Sequence, residues 1–177
     1  MTTYKPLKAE DLPDIFSPLY QPLKQKKDRA GRKPRVIVIA GPTGTGKTEL
    51  AIQLAQTIGG EIISADSMQV YQGMDIGTAK ATVQQQKMAP HHLIDVQPVQ
   101  KIFNVADFFH LAHQLCHYLI CQDKTPIVVG GSGFYLHTFL YGPPSGPPPN
   151  LALRQELENK MQQLGPDVLY EQLQMLD

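Results

Sequence analysis

Charge is scarce in this chain. Asp, Glu, Lys and Arg supply only 18% of its 177 residues, and 16 basic residues cancel 16 acidic ones, where roughly 25% charged is usual for a soluble domain. A net charge of zero removes the global positive field that marks many nucleic-acid binders, so any such role must rest on local clusters. Cysteine is scarcer still. Cys116 and Cys121 are spaced neither as a CxxC redox pair nor as a zinc knuckle, which implies no disulfide, no structural metal and a reduced, cytoplasmic setting. No run of about 18 apolar residues occurs, and the opening MTTYKPLKAEDLPD holds no apolar signal core, so the expectation is a protein that is neither membrane-bound nor secreted. No internal repeat is present.

Proline, in contrast, is abundant and gathered. Pro6, Pro13, Pro18, Pro22 and Pro34 punctuate residues 1–34, and seven basic residues from Lys24 to Arg35 crowd its end. This predicts a partly disordered, basic extension, a solvated linker in the simplest reading and an RNA-phosphate contact in the sharper one. A second cluster, GPPSGPPP (142–149), marks a stiff connector over 143–150 that cannot enter a sheet. Between them, residues 35–142 read as the folded core, and 151–177 as two short amphipathic helices, 151–164 and 166–176.

Within that core, RVIVIAG (35–41) is a β-branched run of the kind that forms a strand buried on both faces. Helical spacing follows over 46–58 and stops at Gly59 and Gly60. EIISA (61–65) predicts a second strand with Asp66 at its carboxyl edge, 82–88 a short helix, and 92–96 a further short strand. Asn104 is placed to cap a helix reaching Cys121, TPIVVG (125–130) is another apolar strand, and 134–141 a helix. Strand and helix alternate, so the fold class is α/β with a parallel sheet.

Gly41-Pro42-Thr43-Gly44-Thr45-Gly46-Lys47-Thr48 matches GxxxxGK[ST] and sits between a strand and a helix, the context the motif requires. The glycines allow a tight loop with inward amides, and the helix adds its positive dipole end. Lys47 supplies a mobile point charge, and the Thr48 hydroxyl is placed to coordinate Mg²⁺. The motif specifies a phosphate ligand and a P-loop NTPase-like three-layer fold. It leaves the reaction open.

Further strings narrow the choice: ISADSMQVY (63–71), GMDIGTAK (73–80), APHHLID (89–95), ADF (106–108) and VGGSGFY (129–135). Together with GPTGTGKT they closely resemble the bacterial tRNA dimethylallyltransferases, in family order from about Val36 onward. That resemblance implies transfer of a dimethylallyl group from dimethylallyl diphosphate to N6 of the adenosine 3′ of the tRNA anticodon, with Mg²⁺ and the phosphate loop holding the diphosphate leaving group. It implies that Asp66 engages the adenine amine, that Ser132, where the family has threonine, and Thr43 lie near the reacting groups, and that Asp66, Ser67, Met68, Gln69, Ser132 and Arg154 contact tRNA. Asp66 as a Mg²⁺ carboxylate or a helix cap, and Arg154 as an ordinary surface arginine, are the competing readings. His110, His113 and His117 share a helix side without further ligands at metal spacing, and His91 and His92 read as structural.

In the resembling family the proline connector leads into a helical tRNA clamp and a return segment carrying a diphosphate-binding arginine. Neither lies within these 177 residues. The expectation is therefore a fold incomplete at its C-terminus, little turnover by this chain alone, and self-association through Leu164, Leu169, Leu173 and Leu176. The competing functions are an adenylate isopentenyltransferase, a small-molecule kinase and a non-catalytic phosphate-binding remnant.

Overall fold

The structure, a computed structural model, describes residues 35–143, 146 and 150–176. The basic extension 1–34 and most of the connector lie outside the described residues. The chain divides into two compact units at Pro143 and Pro144.

The first unit is built on four parallel strands in the order β1-β4-β2-β3: β1 (Ile37–Ala40), β2 (Gly60–Ser64), β3 (His91–His92) and β4 (Thr125–Gly130). Parallel neighbours require crossover helices. These are α1 (Lys47–Ile58) between β1 and β2, the short α2 (Val83–Met88) before β3, and α3 (Val105–Cys121) before β4; α4 (Gly133–Tyr141) follows β4. Side chains alternate across the sheet. Ile62, Ile127 and Val129 pack with Ala51, Ile52 and Ala55 of α1 on one face. Ile63 and Val128 pack with Phe108, Leu111, Leu115 and Leu119 of α3 and with Tyr135, Leu136 and Phe139 of α4 on the other. The result is three layers, with the sheet covered on both sides. Each large apolar side chain buried this way contributes about 1.5–3 kcal/mol, so the two interfaces set the registry of everything at the strand ends.

Local signals place the boundaries. Asn104 accepts from the Ala106 and Asp107 amides while Asp107 accepts from the Asn104 amide, a complete capping box of a kind worth about 1 kcal/mol at the cap residue. α1 ends at Gly59 in the left-handed region (φ 65°), where a Cβ is disfavoured.

Two expectations need correction. β1 is half-buried, not buried: Val36 and Val38 pack against one core cluster and Ile37 and Ile39 against the other, but among the described residues it pairs with β4 alone and so lies at the sheet edge. The strand predicted over 92–96 is the two-residue β3, because Leu93 and Asp95 turn into the left-handed region (φ 60° and 55°) and break extended geometry.

The second unit is a helix pair, α5 (Leu151–Leu164) and α6 (Pro166–Leu176), with Asn150 capping α5 through the Leu153 amide. Leu164, Leu173 and Leu176 are exposed. No helix among the described residues is long and apolar enough to cross a membrane.

Candidate functional site

The strand β1, the glycine loop 41–46 and the helix α1 follow one another without a break, so the loop backbone is carried by the sheet edge and opens onto the helix N-terminus. Gly46 occupies the N-cap in the left-handed region (φ 80°) and no side chain caps the helix. The first amides of α1 are therefore left to a ligand, where anions are favoured.

Thr43, Gly44, Gly46, Lys47 and Thr48 line a hollow of about 260 Å³. Its floor is Ile62 and Ser64 of β2 with Val129, Gly130 and Gly131, and its far wall is Ala79, Ala81, Gln85 and His91, with Asp66 and Gln69 at the rim. The loop and Asp66 thus meet at one cavity. Gly41, Pro42 and Thr45 stand behind it: the Pro42 carbonyl accepts from the Thr45 hydroxyl and from the Lys47 ammonium. The Lys47 methylenes pass close to where a Gly41 side chain would begin.

Asp66 does two jobs with two oxygens. Oδ1 accepts from the amides of Met68 (2.9 Å) and Gln69 (3.3 Å), fixing a turn. No hydrogen bond among the described residues occupies Oδ2, and the residue lines the hollow. The cap-like role and a chemical role are therefore compatible.

Ser132 and the residues after Asp66 are mostly spent on the site's own architecture. The Ser67 amide donates to Ser132 Oγ (3.3 Å), joining the end of β2 to the turn before α4. Gln69 accepts from Ser64 Oγ (3.0 Å) and donates to the carbonyls of Thr78 (3.2 Å) and Ala79 (3.0 Å). Met68 is partly exposed. Of the residues expected to meet tRNA, Asp66 and Gln69 line the hollow, whereas Ser67, Met68 and Ser132 do not. Arg154 belongs to the second unit, exposed, with Nε donating to Glu158 Oε1 (3.3 Å).

Sequence reasoning passed over Lys80 and the wall residues Gln85 and His91. Lys80 Nζ donates to the Tyr71 carbonyl (3.0 Å), Asp75 Oδ1 (2.7 Å) and Asp95 Oδ1 (2.6 Å). Burial pulls its pKa down, but the two carboxylates outweigh that and hold it above the ordinary lysine value. The available signal was a lone lysine in a loop otherwise free of basic residues, five positions from Asp75.

Among the described residues no group of three His, Cys, Asp or Glu is placed to hold a metal ion. His92 Nε2 donates to Glu61 Oε2 (2.8 Å) inside the sheet. His91 donates from Nδ1 to the Ala89 carbonyl (2.8 Å), and burial lowers its pKa. Burial likewise lowers that of His113, which donates from Nε2 to the Phe139 carbonyl (3.0 Å). Both rings are uncharged in the folded protein at neutral pH. The unfolded chain protonates first, near pH 6.5, so folding stability is whole above that pH and declines as pH falls below it. The limit is about 1.4 kcal/mol per pH unit per histidine. Thermal melts between pH 7.5 and 5.5 should show the midpoint falling, with a shallower fall in His113→Gln; a flat profile would contradict the assignment.

The profile of the family described as "IPP transferase" matches residues 69–177, more than half of the chain. The chain is 58% identical over 145 residues to the tRNA dimethylallyltransferase of Protochlamydia amoebophila, covering 82% of this chain and 42% of that protein. It is 55% identical over the same length to the tRNA dimethylallyltransferase of Chlamydia trachomatis serovar D, covering 46% of it. Among solved structures, the full-length tRNA isopentenylpyrophosphate transferase of Bacillus halodurans superposes with TM-score 0.62 at 40% identity over 82% of this chain and 48% of that one. A eukaryotic dimethylallyltransferase acting on tRNA superposes with TM-score 0.64 at 34% identity, over 80% of this chain and 35% of that one. The chain spans less than half the length of each of these relatives.

Proposed function

Because the chain belongs to the IPP transferase family, we infer that its phosphate loop takes the diphosphate of dimethylallyl diphosphate and that Asp66 serves the acceptor amine, N6 of the adenosine 3′ of the anticodon. The observation that carries this reading is the sharing of one hollow by Lys47, Thr48 and Asp66. In the proposed step N6 attacks C1 of the dimethylallyl group, the C1–O bond breaks, and diphosphate departs with the electron pair. The N6 proton passes to Asp66 Oδ2, the oxygen not committed to the turn. The amides of the loop, the helix N-terminus and Lys47 lie where negative charge grows on the leaving group, which is where preformed dipoles lower a barrier most.

A divalent cation fits the donors present. Thr48 offers a hydroxyl oxygen at the hollow, and Mg²⁺ typically takes one or two protein oxygens together with substrate phosphates. Bound there, it would neutralise leaving-group charge. Ser67 and Met68 supply candidate contacts to the tRNA base, and Arg154 and the basic segment 24–35 candidate contacts that neutralise its phosphates.

Labelled dimethylallyl diphosphate offered with unmodified tRNA, with AMP, or beside ATP and small acceptors tests the reading. With protein in excess the label is expected on tRNA alone, slowly, and at least 10²-fold more slowly in Asp66→Asn, as for loss of a general base. Label on AMP would redirect the reading to an adenylate transferase. Movement of the ATP γ-phosphate without prenyl transfer would make the protein a kinase, and no transfer at all would leave phosphate binding only.

A further inference from the structure

We propose that Lys80 is a positioning residue of the transfer site: by pinning the 71–80 loop to Asp95 it sets, through Gln69, the wall of the hollow and the turn that presents Asp66. This rests on the function proposed above for that hollow.

A lysine beside a phosphate site invites a simpler role, direct contact with the diphosphate. The geometry argues against it. An ammonium has three N–H donors, and all three of Lys80's are used, by Tyr71, Asp75 and Asp95. Its side chain is only 5% exposed, and it does not line the hollow. Asp75 and Asp95, by contrast, are largely open to solvent on their far sides. The ammonium is therefore a hub facing inward, with its charge balanced locally.

What the hub holds is the route from the loop to the reacting end. Residues 69–72 run beside 95–97: the Asp95 amide donates to the Gln69 carbonyl (3.1 Å), Val96 to Val70 (2.9 Å) and Gln72 to Gln97 (2.9 Å). Tyr71 and Gln97 form a parallel bridge. Lys80 closes this pair of segments by reaching Tyr71 from one side and Asp95 from the other. The Thr78 hydroxyl donates to the Met74 carbonyl (2.8 Å) and closes the loop on itself. Gln69 then carries the constraint inward, its side-chain Nε2 donating to Thr78 and Ala79 and its Oε1 accepting from Ser64 on the floor. The Gln69 backbone amide is one of the two donors to Asp66 Oδ1. A shift of the loop moves Ala79 and Ala81 as wall and Asp66 as rim together.

The backbone supplies an independent sign of what is being held. Ala79 and Asp95, both non-glycine, sit in the left-handed region at φ 50° and 55°, a conformation that L-residues avoid unless their surroundings impose it. One precedes Lys80 directly and the other accepts a hydrogen bond from its ammonium. Two disfavoured residues on either side of one buried ammonium mean that its removal lets the loop relax.

The test uses Lys80→Met, which keeps length and apolar stem but removes the charge, and Lys80→Arg, which keeps the charge. Affinity is measured for inorganic pyrophosphate, which needs only the 41–48 loop, and for dimethylallyl diphosphate, which also needs the wall; amide hydrogen exchange is followed over 66–80. In Lys80→Met, pyrophosphate affinity should stay within about two-fold, dimethylallyl diphosphate affinity should fall at least about ten-fold, and exchange at 66–80 should rise. Lys80→Arg should recover most of the loss. Equal loss for both ligands would make Lys80 a general stability residue and overturn the proposal, and so would unchanged exchange at 66–80. If the parent chain binds pyrophosphate but not dimethylallyl diphosphate, the proposed substrate is wrong, and the exchange measurement alone then decides the role of Lys80.

Discussion

Replacing Lys47 with Met should lower pyrophosphate affinity by roughly 10²- to 10³-fold and abolish the rise in melting temperature that the ligand confers. A unit charge pair about 4 Å apart near a protein surface is worth about 4 kcal/mol at an effective dielectric constant of 20. Part of that is offset by desolvating the ammonium, and each 1.4 kcal/mol is tenfold in affinity. The site leaves no substitute. Among the residues lining the hollow, Lys47 is the single cation, whereas Glu49 and Asp66 are both acidic, so an anion entering a cavity without Lys47 meets net repulsion. Arginine should not rescue it, because the Lys47 stem threads past Gly41 and a planar guanidinium cannot collapse to a point charge there. Melting temperature without ligand should change little, since the ammonium's own partner is an exposed loop carbonyl. Isothermal titration with pyrophosphate decides the matter: an affinity within threefold of the parent would mean that the loop does not bind phosphate through this residue.

How readily each part of this molecule could be read from sequence follows from how far apart its determinants lie. The phosphate loop, α1 and the α3 cap are local. Gly46, Asn104 and Asp107 act on amides within three or four residues, and the alternation of Ile62, Ile63, Ile127 and Val128 across the sheet is a period-two pattern visible along each strand. The edge position of β1 is not local, because an apolar run looks the same whether one neighbour or two will pair with it. The short β3 was hidden for a related reason: Leu93 is a poor candidate for left-handed backbone and aspartate only a tolerant one, and what holds Asp95 there includes a lysine fifteen positions earlier. The family resemblance assigns Gln69 to tRNA contact. Its side-chain amide is also bonded to Ser64, Thr78 and Ala79. Those partners lie five to ten positions away in a loop without regular period, so no local pattern announces them.

The string Gly130-Gly131-Ser132-Gly133 contains a contrast that packing alone should resolve. A Cβ on Gly130 would lie 2.1 Å from the Ala65 carbonyl oxygen and 2.8 Å from the Ala65 Cβ. The obstacle is backbone, so no rotamer change relieves it, and β4 must separate from β2 where the Ala65 amide donates to the Val129 carbonyl (2.7 Å). Overpacking of this kind costs typically 1–3 kcal/mol and more where nothing can yield. Gly130→Ala should therefore cost about 3 kcal/mol, lowering the melting temperature by roughly 10 °C or more for a unit of this size. Because Asp66 follows Ala65 and Gly131 lines the hollow, ligand binding should fail even at temperatures where the variant stays folded. Gly133, three residues on, is the control. It opens α4, its φ is unremarkable, and no atom lies within 4 Å of an added Cβ. Gly133→Ala should be neutral or stabilising by up to about 1 kcal/mol, since alanine loses less backbone freedom on entering a helix. Thermal melts of the two variants side by side separate a glycine required by close approach of two strands from one that is not, and equal melting temperatures would mean that β2 and β4 do not meet as closely at their carboxyl ends as this site requires.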